Sequence, residues 1–261
     1  MSFKSFVRSI PIYESYKNYR LRIQHKKITE KEEKFVAFYS QFIQSGYLCF
    51  DVGANLGNRV KIFAALGGRV IAFEPQQQCF NYLDLIYRHD PNVVLVPKAL
   101  GESKSEIEML VSTSSTTSSL SQNWVQRVEK SKRFGDRTWE NREIVQLTTL
   151  DAMIAEHGLP DFCKIDVEGF EDKVLSGLSQ PLPCLSFEFT PEFSESTYAC
   201  LEKLDTLGEF EFNYSLGESM KFTLSEWLPS SEFRIKFETQ ITNDVSFGDI
   251  YARLKNNLVS K

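Results

Sequence analysis

Short apolar runs alternate with amphipathic stretches along most of this chain. The runs are rich in β-branched and aromatic residues and end in glycine, proline or acidic residues, which is typical of buried strands. Between them, apolar residues recur every three or four positions, as on the buried face of a helix. The predicted strands span 47–52, 69–73, 93–97, 161–167 and 184–189. The predicted helices lie near 57–66, 76–88, 150–157, 169–178 and 194–207. This alternation favours an α/β fold around a parallel sheet.

The segment before the first strand has a different pattern. Residues 1–45 are predicted to form an N-terminal helical extension. Within it, Thr29 and Glu32 have the spacing of a capping box, which begins a helix, and Gly46 is suited to end that helix. Residues 46–261 are predicted to form the main domain.

Two later regions depart from the strand–helix alternation. Residues 105–111 and 143–148 alternate weakly between apolar and polar side chains, which predicts an accessory hairpin. Between them, the segment 112–142 begins with eight consecutive serine and threonine residues, and hydroxyl side chains alone cannot build a core. We therefore predict a variable insert there. The β-rich C-terminal third has predicted strands at 209–215, 234–239 and 247–254.

Length, composition and charge limit the possible classes of protein. A chain of 261 residues is long enough for one large α/β domain, and its hydrophobic fraction of 42% is ordinary for a globular protein. The five cysteines have neither CxxC nor metal-ligand spacing, which favours buried thiols in a reducing compartment. No signal-peptide pattern or membrane-spanning run occurs, so we expect a cytoplasmic protein.

The charge is distributed unevenly along the chain. The net charge of −5 combines about +5 over residues 1–34 with about −10 over the rest. The basic arm is expected to be a solvated extension, although an anionic partner or membrane surface is the alternative. The acidic body argues against a nucleic-acid partner, because such proteins carry a basic face.

The most informative stretch is 48–57, Leu-Cys-Phe-Asp-Val-Gly-Ala-Asn-Leu-Gly. An apolar strand runs into Asp51, a glycine turn follows and a helix begins, so backbone N–H groups surround one small pocket. The next strand ends in Glu74, 21 residues after Gly53. An acidic side chain at about this spacing binds ribose hydroxyls in nucleotide-binding βαβ units. The two features together predict a nucleoside site.

This turn fits a dinucleotide poorly. The dinucleotide pattern is G-x-G-x-x-G, whereas the turn here holds only Gly53 and Gly57. Asp51 at the strand end would repel a pyrophosphate and attract an ammonium group. S-adenosylmethionine, which has a ribose, no phosphate and a cationic amino-acid end, suits the pocket better. The residues therefore favour nucleoside binding, with a methyl donor as the preferred ligand.

A second motif, KIDVEG at 164–169, closes the fourth predicted strand. Period-two alternation places Lys164, Asp166 and Glu168 on one side of that strand. Charges on a covered strand are costly unless they reach the ligand crevice at the carboxyl edge of the sheet, and the next strand delivers Glu188 to the same edge. The three acids are therefore candidate catalytic residues, with Glu168 and Glu188 ahead as the general base.

Two alternatives apply to this acidic edge. Lys164 could form a structural ion pair with one of the carboxylates. The carboxylates could also hold Mg²⁺, the kind of ion that carboxylate oxygens bind. No spaced ligand motif supports a metal, and we predict none.

Several of these segments resemble FkbM-family methyltransferases. The shared segments are Asp51-Val-Gly-Ala-Asn-Leu-Gly57, Phe73-Glu74-Pro75, Thr117-Ser-Ser-Leu120, Lys164-Ile-Asp-Val-Glu-Gly-Phe-Glu171 and Phe247-Gly-Asp-Ile-Tyr251. The resemblance implies an S-adenosylmethionine-dependent O-methyltransferase with the class I, Rossmann-like fold. That fold has a seven-stranded, mostly parallel sheet with an antiparallel last strand and helices on both faces. Family members methylate hydroxyls of sugars and secondary metabolites, so a small-molecule or glycan acceptor is implied.

The resemblance also implies roles for particular residues. The implied donor-binding residues are Asp51, Gly53, Ala54, Asn55, Glu74, Ala99 and Asp166. Residues 53–55 would form the turn against the methionine portion, Asp51 would hold the ammonium group, and Glu74 would bind the ribose hydroxyls. Ala99 would occupy the adenine position, and Asp166 would face the sulfonium and its methyl group.

The insert is expected to contribute to the acceptor site. Ser118 and Ser119 are the predicted substrate-binding residues, brought to the acceptor when residues 112–142 close as a lid. A peripheral insert whose aromatic residues pack on the domain is the alternative. The aromatic residues expected to clamp over an acceptor ring are Trp124, Phe134 and Trp139.

Two other functions stay open from the sequence. A nicotinamide-dependent oxidoreductase would use the same βαβ unit, but the missing third glycine disfavours it. A non-catalytic nucleoside-binding protein would keep the pocket without turnover. The oligomeric state is not predicted.

Overall fold

The computed structural model describes residues 11–241 and 247–255. The strands are β1 Leu48–Val52, β2 Arg69–Phe73, β3 Val93–Val96, β4 Ala99–Leu100, β5 Ser105–Val111, β6 Asn141–Thr148, β7 Phe162–Ile165, β8 Cys184–Phe189, β9 Phe210–Leu216, β10 Leu228–Pro229 and β11 Gly248–Leu254. The α-helices are α1 Pro11–Lys26, α2 Glu33–Tyr39, α3 Asn58–Ala65, α4 Gln77–Tyr87, α5 Gln122–Ser131, α6 Leu150–His157, α7 Glu171–Ser176, α8 Ser194–Leu207 and α9 Ser230–Gln240. The 3₁₀ turns are Glu30–Glu32, Ser115–Thr117 and Pro191–Phe193.

One large sheet organises the described part of the chain. Its strand order is β10-β9-β11-β8-β7-β1-β2-β3. The strands from β8 to β3 in this order pair in parallel, whereas β11 runs antiparallel to both of its neighbours. The mostly parallel sheet and the antiparallel last strand are confirmed. The predicted count of seven strands is corrected to eight, because β10 is a two-residue edge pairing that is too short to leave a pattern in the sequence.

Helices cover both faces of this sheet, as expected for a buried parallel sheet. Phe50 and Val52 of β1 enter the core formed with α6 to α9. Cys49, which precedes Phe50 and lies on the other face of the strand, enters the opposite core with Phe63 of α3 and Phe162 of β7. Because side chains alternate along a strand, β1 contributes to both cores and brings Asp51 to its carboxyl end between them.

One predicted strand is wrong. Residues 234–239 belong to helix α9. Phe233 and Phe237 lie one helical turn apart and are buried, whereas Ile235 is 67% exposed. The period-two pattern of Ile235 and Phe237 is therefore incidental, and the burial follows the helical spacing.

The accessory pairing is confirmed and enlarged. β5 and β6 pair antiparallel from Ser105 opposite Leu147 to Val111 opposite Asn141. The two-residue β4 joins β6 in parallel, which makes a three-stranded sheet. This small sheet places the insert between β5 and β6 next to the carboxyl edge of β7.

The N-terminal extension packs on the domain through α1 and α4. Arg22 Nε donates to the Leu85 carbonyl at 2.7 Å, and the Lys26 ammonium lies 2.6 Å from the Asp90 carboxylate. Residues 1–10 of the predicted extension lie outside the described residues. In the part of the chain that the structure describes, no helix is both long and apolar enough to span a membrane.

Candidate active site

A cavity of about 350 Å³ opens at the carboxyl ends of β1, β2, β7 and β8. It lies where the sequence placed the site, at the edge where strand ends meet in α/β proteins. The predicted site residues that line it are Asp51, Gly53, Ala54, Asn55, Glu74, Ala99, Ser118, Asp166, Glu168 and Glu188. Ser119 is the one predicted site residue outside this lining.

The turn after β1 needs glycine at its first position. Gly53 has φ of +86°, and a Cβ there would lie 1.9 Å from the backbone oxygen of Asp166. The N–H groups of Gly53 and Ala54 both donate to the Phe73 carbonyl at 3.0 Å. The turn is therefore pressed against β7 and tied to β2, which brings Asp51, Glu74 and Asp166 around one space.

Backbone donors fix the Glu74 carboxylate. Its Oε2 accepts the Asn55 N–H and its Oε1 accepts the Gln76 N–H, each at 2.7 Å. Burial raises the pKa of Glu74 to about 7, although these two backbone hydrogen bonds oppose the shift. Each carboxylate oxygen has a second lone pair, so Glu74 can accept two further hydrogen bonds from neighbouring hydroxyls on the cavity side.

Asp51 presents an unsatisfied oxygen. The residue is 2% exposed, and its Oδ2 has no hydrogen-bond partner among the described residues. Burial raises the pKa of Asp51 to about 6, and the charges of Lys164 and Arg59 limit that rise. A buried acceptor of this kind at a cavity wall is suited to a cationic ligand.

Lys164 is held between two carboxylates. Its Nζ lies 3.0 Å from Asp166 Oδ2 and 2.9 Å from Asp249 Oδ1. Burial by itself would lower the pKa of Lys164, but the two carboxylates outweigh it and hold that pKa well above the ordinary value. The structural ion pair that the sequence left open is therefore present, and it fixes the direction of Asp166.

Three carboxylates converge at the other side of the cavity. Oxygens of Asp166, Glu168 and Glu188 all lie within 4.8 Å of one another. Burial, followed by the Asp166 charge, raises the pKa of both Glu168 and Glu188 well above the usual range. Carboxyl groups this close repel each other when both are ionised, which favours the protonated form of Glu168 and Glu188.

Of the two serines predicted to bind the acceptor, Ser118 lines the cavity and Ser119 does not. The Ser118 oxygen accepts the Ser112 N–H at 3.1 Å, which leaves its O–H as a donor. The Ser119 hydroxyl instead donates to the Glu168 carbonyl at 2.6 Å and accepts the Ser121 N–H at 2.9 Å. The Ser119 hydroxyl is therefore engaged inside the protein, and its predicted contact with the acceptor stays a prediction that these hydrogen bonds do not support.

The expected aromatic clamp is wrong for both tryptophans. Trp124 is fully buried, Trp139 is 8% exposed, and their ring centroids lie 6.4 Å apart. Their indole N–H groups donate to Thr190 and Thr117. Of the three predicted aromatic residues only Phe134 lines the cavity. The tryptophans form the core of the insert because each ring and each N–H has a partner there.

Some cavity residues were missed by the sequence reasoning. Arg59 lines the cavity and pairs with Glu218, with Nη2 2.9 Å from Oε1. Arg137 also lines it and lies over the Phe134 ring, 5.2 Å from the centroid. Arg59 follows the glycine turn directly, and this position at the start of α3 was an available signal. Arg137 belongs to the insert that was expected to contribute to the acceptor site. The approach of Glu218 depends on long-range folding that no local pattern indicates.

Comparison with known proteins gives the following matches. A family model described as a methyltransferase FkbM domain matches residues 51–241. No curated protein matches the chain. The precorrin-6y C5,15-methyltransferase structure from Geobacter metallireducens is 13% identical, with 87% of this chain and 90% of that chain covered and a TM-score of 0.45.

Two further structures are similar at the same level. An O-methyltransferase from Bacillus cereus in complex with SAH is 11% identical, with 96% of each chain covered and a TM-score of 0.44. Fibrillarin from Aeropyrum pernix with natively bound S-adenosyl-L-methionine is 9% identical, with 81% of this chain and 68% of that chain covered and a TM-score of 0.42. At these identities and scores, the structures carry no information about the reaction of this chain.

Proposed function

The chain belongs to the FkbM methyltransferase family, and on that premise we propose that it methylates a hydroxyl group of a sugar, glycan or secondary metabolite. It is an S-adenosylmethionine-dependent methyltransferase of the class I, Rossmann-like fold, and the hydroxyl acceptor is the part that we add. The observation that carries this addition is the group of three carboxylates beside the nucleoside pocket.

The pocket fits the donor by its own chemistry. Glu74 is oriented by two backbone N–H groups and keeps acceptor capacity for both ribose hydroxyls. Asp51 has a buried oxygen without a partner in the described region, which suits the ammonium group. The turn at Gly53 lines the cavity, where it can contact the methionine portion, and the buried Ala99 offers an apolar contact for adenine.

The reaction places few demands on the protein beyond alignment and proton removal. When bound, S-adenosylmethionine supplies an electrophilic methyl group on a sulfonium, whose positive charge favours ionised carboxylates around it. Asp166, held by Lys164, faces that region. As the acceptor oxygen bonds to the methyl carbon, the bond from that carbon to sulfur would break and the demethylated thioether would leave. Glu168 or Glu188 accepts the acceptor's hydroxyl proton, which stays on that carboxyl group.

Polar groups of the insert support a polar acceptor. Ser118 offers an O–H donor, and Arg137 offers a guanidinium beside the Phe134 ring. An aromatic face suits the C–H patches of a saccharide, and hydroxyl and guanidinium donors suit its oxygens. The insert 112–142 acts as the cover of this acceptor side.

Calorimetry of the full chain tests the donor assignment. We expect binding of S-adenosylmethionine and its demethylated product, and no binding of NAD. Binding of NAD alone would favour an oxidoreductase. Binding of the donor without methylated product across a panel of hydroxyl acceptors would favour a non-catalytic nucleoside-binding protein.

Substitution of the acids tests the chemistry. Glu168→Gln and Glu188→Gln keep the side-chain shape and remove the base, so one of them should lower kcat on the order of 10²-fold with donor affinity nearly unchanged. The matched control is Glu195→Gln, which removes an exposed partner of Arg127 far from the cavity. Normal turnover in both test variants would place the base elsewhere. Activity lost to a chelator and restored by Mg²⁺ would assign the carboxylates to a metal instead.

A further inference from the structure

The turn after β7 has an unusual backbone. Glu168 has φ of +56° and Gly169 has φ of +85°, so two consecutive residues adopt the left-handed conformation. Gly169 does so without strain, but a residue with a side chain rarely does. Contacts from elsewhere in the protein must therefore hold Glu168 in this conformation.

Ser119 supplies the first contact. Its hydroxyl donates to the Glu168 carbonyl at 2.6 Å, and the residue is 1% exposed. The Ser119 hydroxyl is itself fixed, because it accepts the Ser121 N–H at 2.9 Å. The backbone of Ser119 also exchanges two hydrogen bonds with Leu110 at the end of β5, at 2.9 and 3.0 Å. The Ser119 hydroxyl is therefore held in place by backbone hydrogen bonds to the accessory sheet.

Glu171 supplies the second contact, from inside the same motif. Its Oε1 accepts the Val167 N–H at 3.0 Å and the Gly169 N–H at 3.2 Å. The Glu171 side chain is buried, with 4% exposed. The N–H groups on either side of Glu168 are thus bound to one oxygen, while Ser119 binds the carbonyl of Glu168.

Trp124 closes the space around this turn. A Cβ at Gly169 would lie 2.4 Å from two atoms of the Trp124 indole. The indole N–H donates to the Thr190 hydroxyl at 3.2 Å, just after β8. The ring is therefore anchored, and it leaves no room for the turn to shift towards α5.

We propose that Ser119 and Glu171 are positioning residues that lock the 166–169 turn so that the Glu168 carboxylate stays beside Asp166 and Glu188. The inference rests on the proposed function in one respect, since that function gives Glu168 its part in proton removal. Ser119 and Glu171 act through the backbone of Glu168 and touch no reacting atom.

The charges that face Glu168 provide a readout. They come from Asp166, Glu188, Glu171, Arg137 and Lys164. Burial and the neighbouring acids raise the pKa of Glu168 well above its ordinary value, against the opposing charges of Arg137 and Lys164. A Glu168 released from the turn would leave these neighbours, and its pKa would fall towards that of a solvated glutamate.

The first test is the carboxyl carbon titration of Glu168 by NMR in the full chain, assigned by the signal that Glu168→Gln removes. In Ser119→Ala we expect the titration midpoint of Glu168 to fall by at least about one pH unit. The control is Ser131→Ala, which removes a hydroxyl bonded to the Val128 carbonyl at the far end of α5. An unchanged midpoint in Ser119→Ala would overturn the proposal for Ser119.

The second test separates hydrogen bonding from packing at Glu171. Glu171→Gln keeps an oxygen for the two N–H groups and removes the Glu171 charge, so the midpoint of Glu168 should fall only by the loss of that charge. Glu171→Leu keeps the volume, removes the same charge and also the acceptor, and should lower the midpoint further than Glu171→Gln does. Equal midpoints in the two variants would overturn the proposal for Glu171. Failure of both Ser119→Ala and Glu171→Leu to fold would also overturn it, because the two residues would then support the whole fold.

Donor calorimetry keeps this inference distinct from the proposed function. All folded variants should bind S-adenosylmethionine within about twofold of wild type, because Asp166 is held separately by Lys164 and the other proposed donor contacts lie outside the 166–169 turn. Absence of donor binding in the wild type would defeat the proposed function, and normal turnover in both Glu168→Gln and Glu188→Gln would place the base elsewhere. Either result would leave the titration result standing. A midpoint that does not move defeats only the positioning roles.

Discussion

The two sides of the cavity are built in different ways. The donor wall, formed by Asp51, residues 53–55 and Glu74, is fixed by backbone N–H groups from a single βαβ unit, such as the Asn55 N–H on Glu74. The acceptor wall, formed by Asp166, Glu168 and Glu188, is fixed by side chains from distant segments. Ser119 reaches Glu168 across 49 positions of the chain, and Asp249 reaches Lys164 across 85.

This contrast separates local from global dependence. A donor wall that depends on one supersecondary unit forms wherever that unit folds. An acceptor wall that depends on the insert and the last strand changes when either of those segments changes. On the proposed function, donor binding depends on a short stretch of sequence, whereas acceptor choice depends on contacts across the whole sheet.

The largest expected effect comes from removing Lys164, whose ammonium group supports the acceptor wall through Asp166. Lys164→Met leaves the buried Asp249 without its ammonium partner, and loss of one partner of a buried ion pair costs about 3–5 kcal/mol. We expect a loss of this size in the free energy of unfolding by urea at pH 7. Lys173→Met, which removes only the exposed pairings with Glu102 and Asp172, should cost less than about 1 kcal/mol. Equal losses in the two variants would contradict a structural role for Lys164.

The next largest effect is expected from a substitution in the turn of the donor wall. Gly53→Ala combines a left-handed backbone with a Cβ 1.9 Å from the Asp166 carbonyl oxygen, so we expect a loss of about 3 kcal/mol in unfolding free energy and no measurable donor binding. Gly46→Ala is the matched control, because Gly46 has the same φ of +86° with no atom within 4 Å of the added Cβ. It should cost about 1 kcal/mol and leave donor affinity unchanged. A Gly53→Ala variant as stable as Gly46→Ala would show that the turn relaxes without cost.

A smaller effect tests one side chain of the donor wall. Glu74→Ala removes the acceptor of the ribose hydroxyls, and a hydrogen bond to a charged group contributes about 1.5–3 kcal/mol. We expect the Kd for S-adenosylmethionine to rise by about 10- to 150-fold by calorimetry. Wild-type affinity in this variant would contradict the assignment of Glu74 as a ribose-binding residue.

The same carboxylate predicts a pH dependence. The pKa of Glu74 in the folded protein, about 7, lies above that of an unfolded glutamate. Its contribution to stability is therefore fully present below the unfolded pKa and is lost as pH rises through about 7. Donor binding favours the ionised form, so affinity should rise by up to about tenfold between pH 6 and pH 8, and Glu74→Gln should flatten that rise.

The smallest expected effect concerns the insert. Because Trp124, Val125 and Val128 are buried, amides of α5 should exchange slowly with solvent even without ligands. Amides of residues 113–116 should exchange quickly in the unliganded protein and more slowly once donor product and acceptor are bound. Rapid exchange throughout 112–142 would show that the insert is mobile as a whole. Uniform protection of its amides without ligands would contradict the lid hypothesis.

Features that depend on neighbouring residues in the sequence were predicted better than contacts between residues far apart in the sequence. The strand ends at Asp51, Glu74 and Asp166 follow from local alternation, and they were predicted in the right places. The direction of Ser119 was not, since eight similar hydroxyl residues in a row give no sign of which one meets β7. The burial of Trp124 was left open between the clamp and packing on the domain, because its partners Gly169 and Thr190 come from other elements.

The position of β11 has a consequence for synthesis of the chain. β11 follows the other described strands in sequence, yet it lies between β8 and β9 in the sheet. While the chain leaves the ribosome, β8 keeps an open edge and Lys164 lacks Asp249 until residues 248–254 emerge. Unpaired strand edges invite pairing with other chains, so the nascent protein is exposed to aggregation until its last strand arrives. Stalling or truncation before residue 248 would leave that edge open.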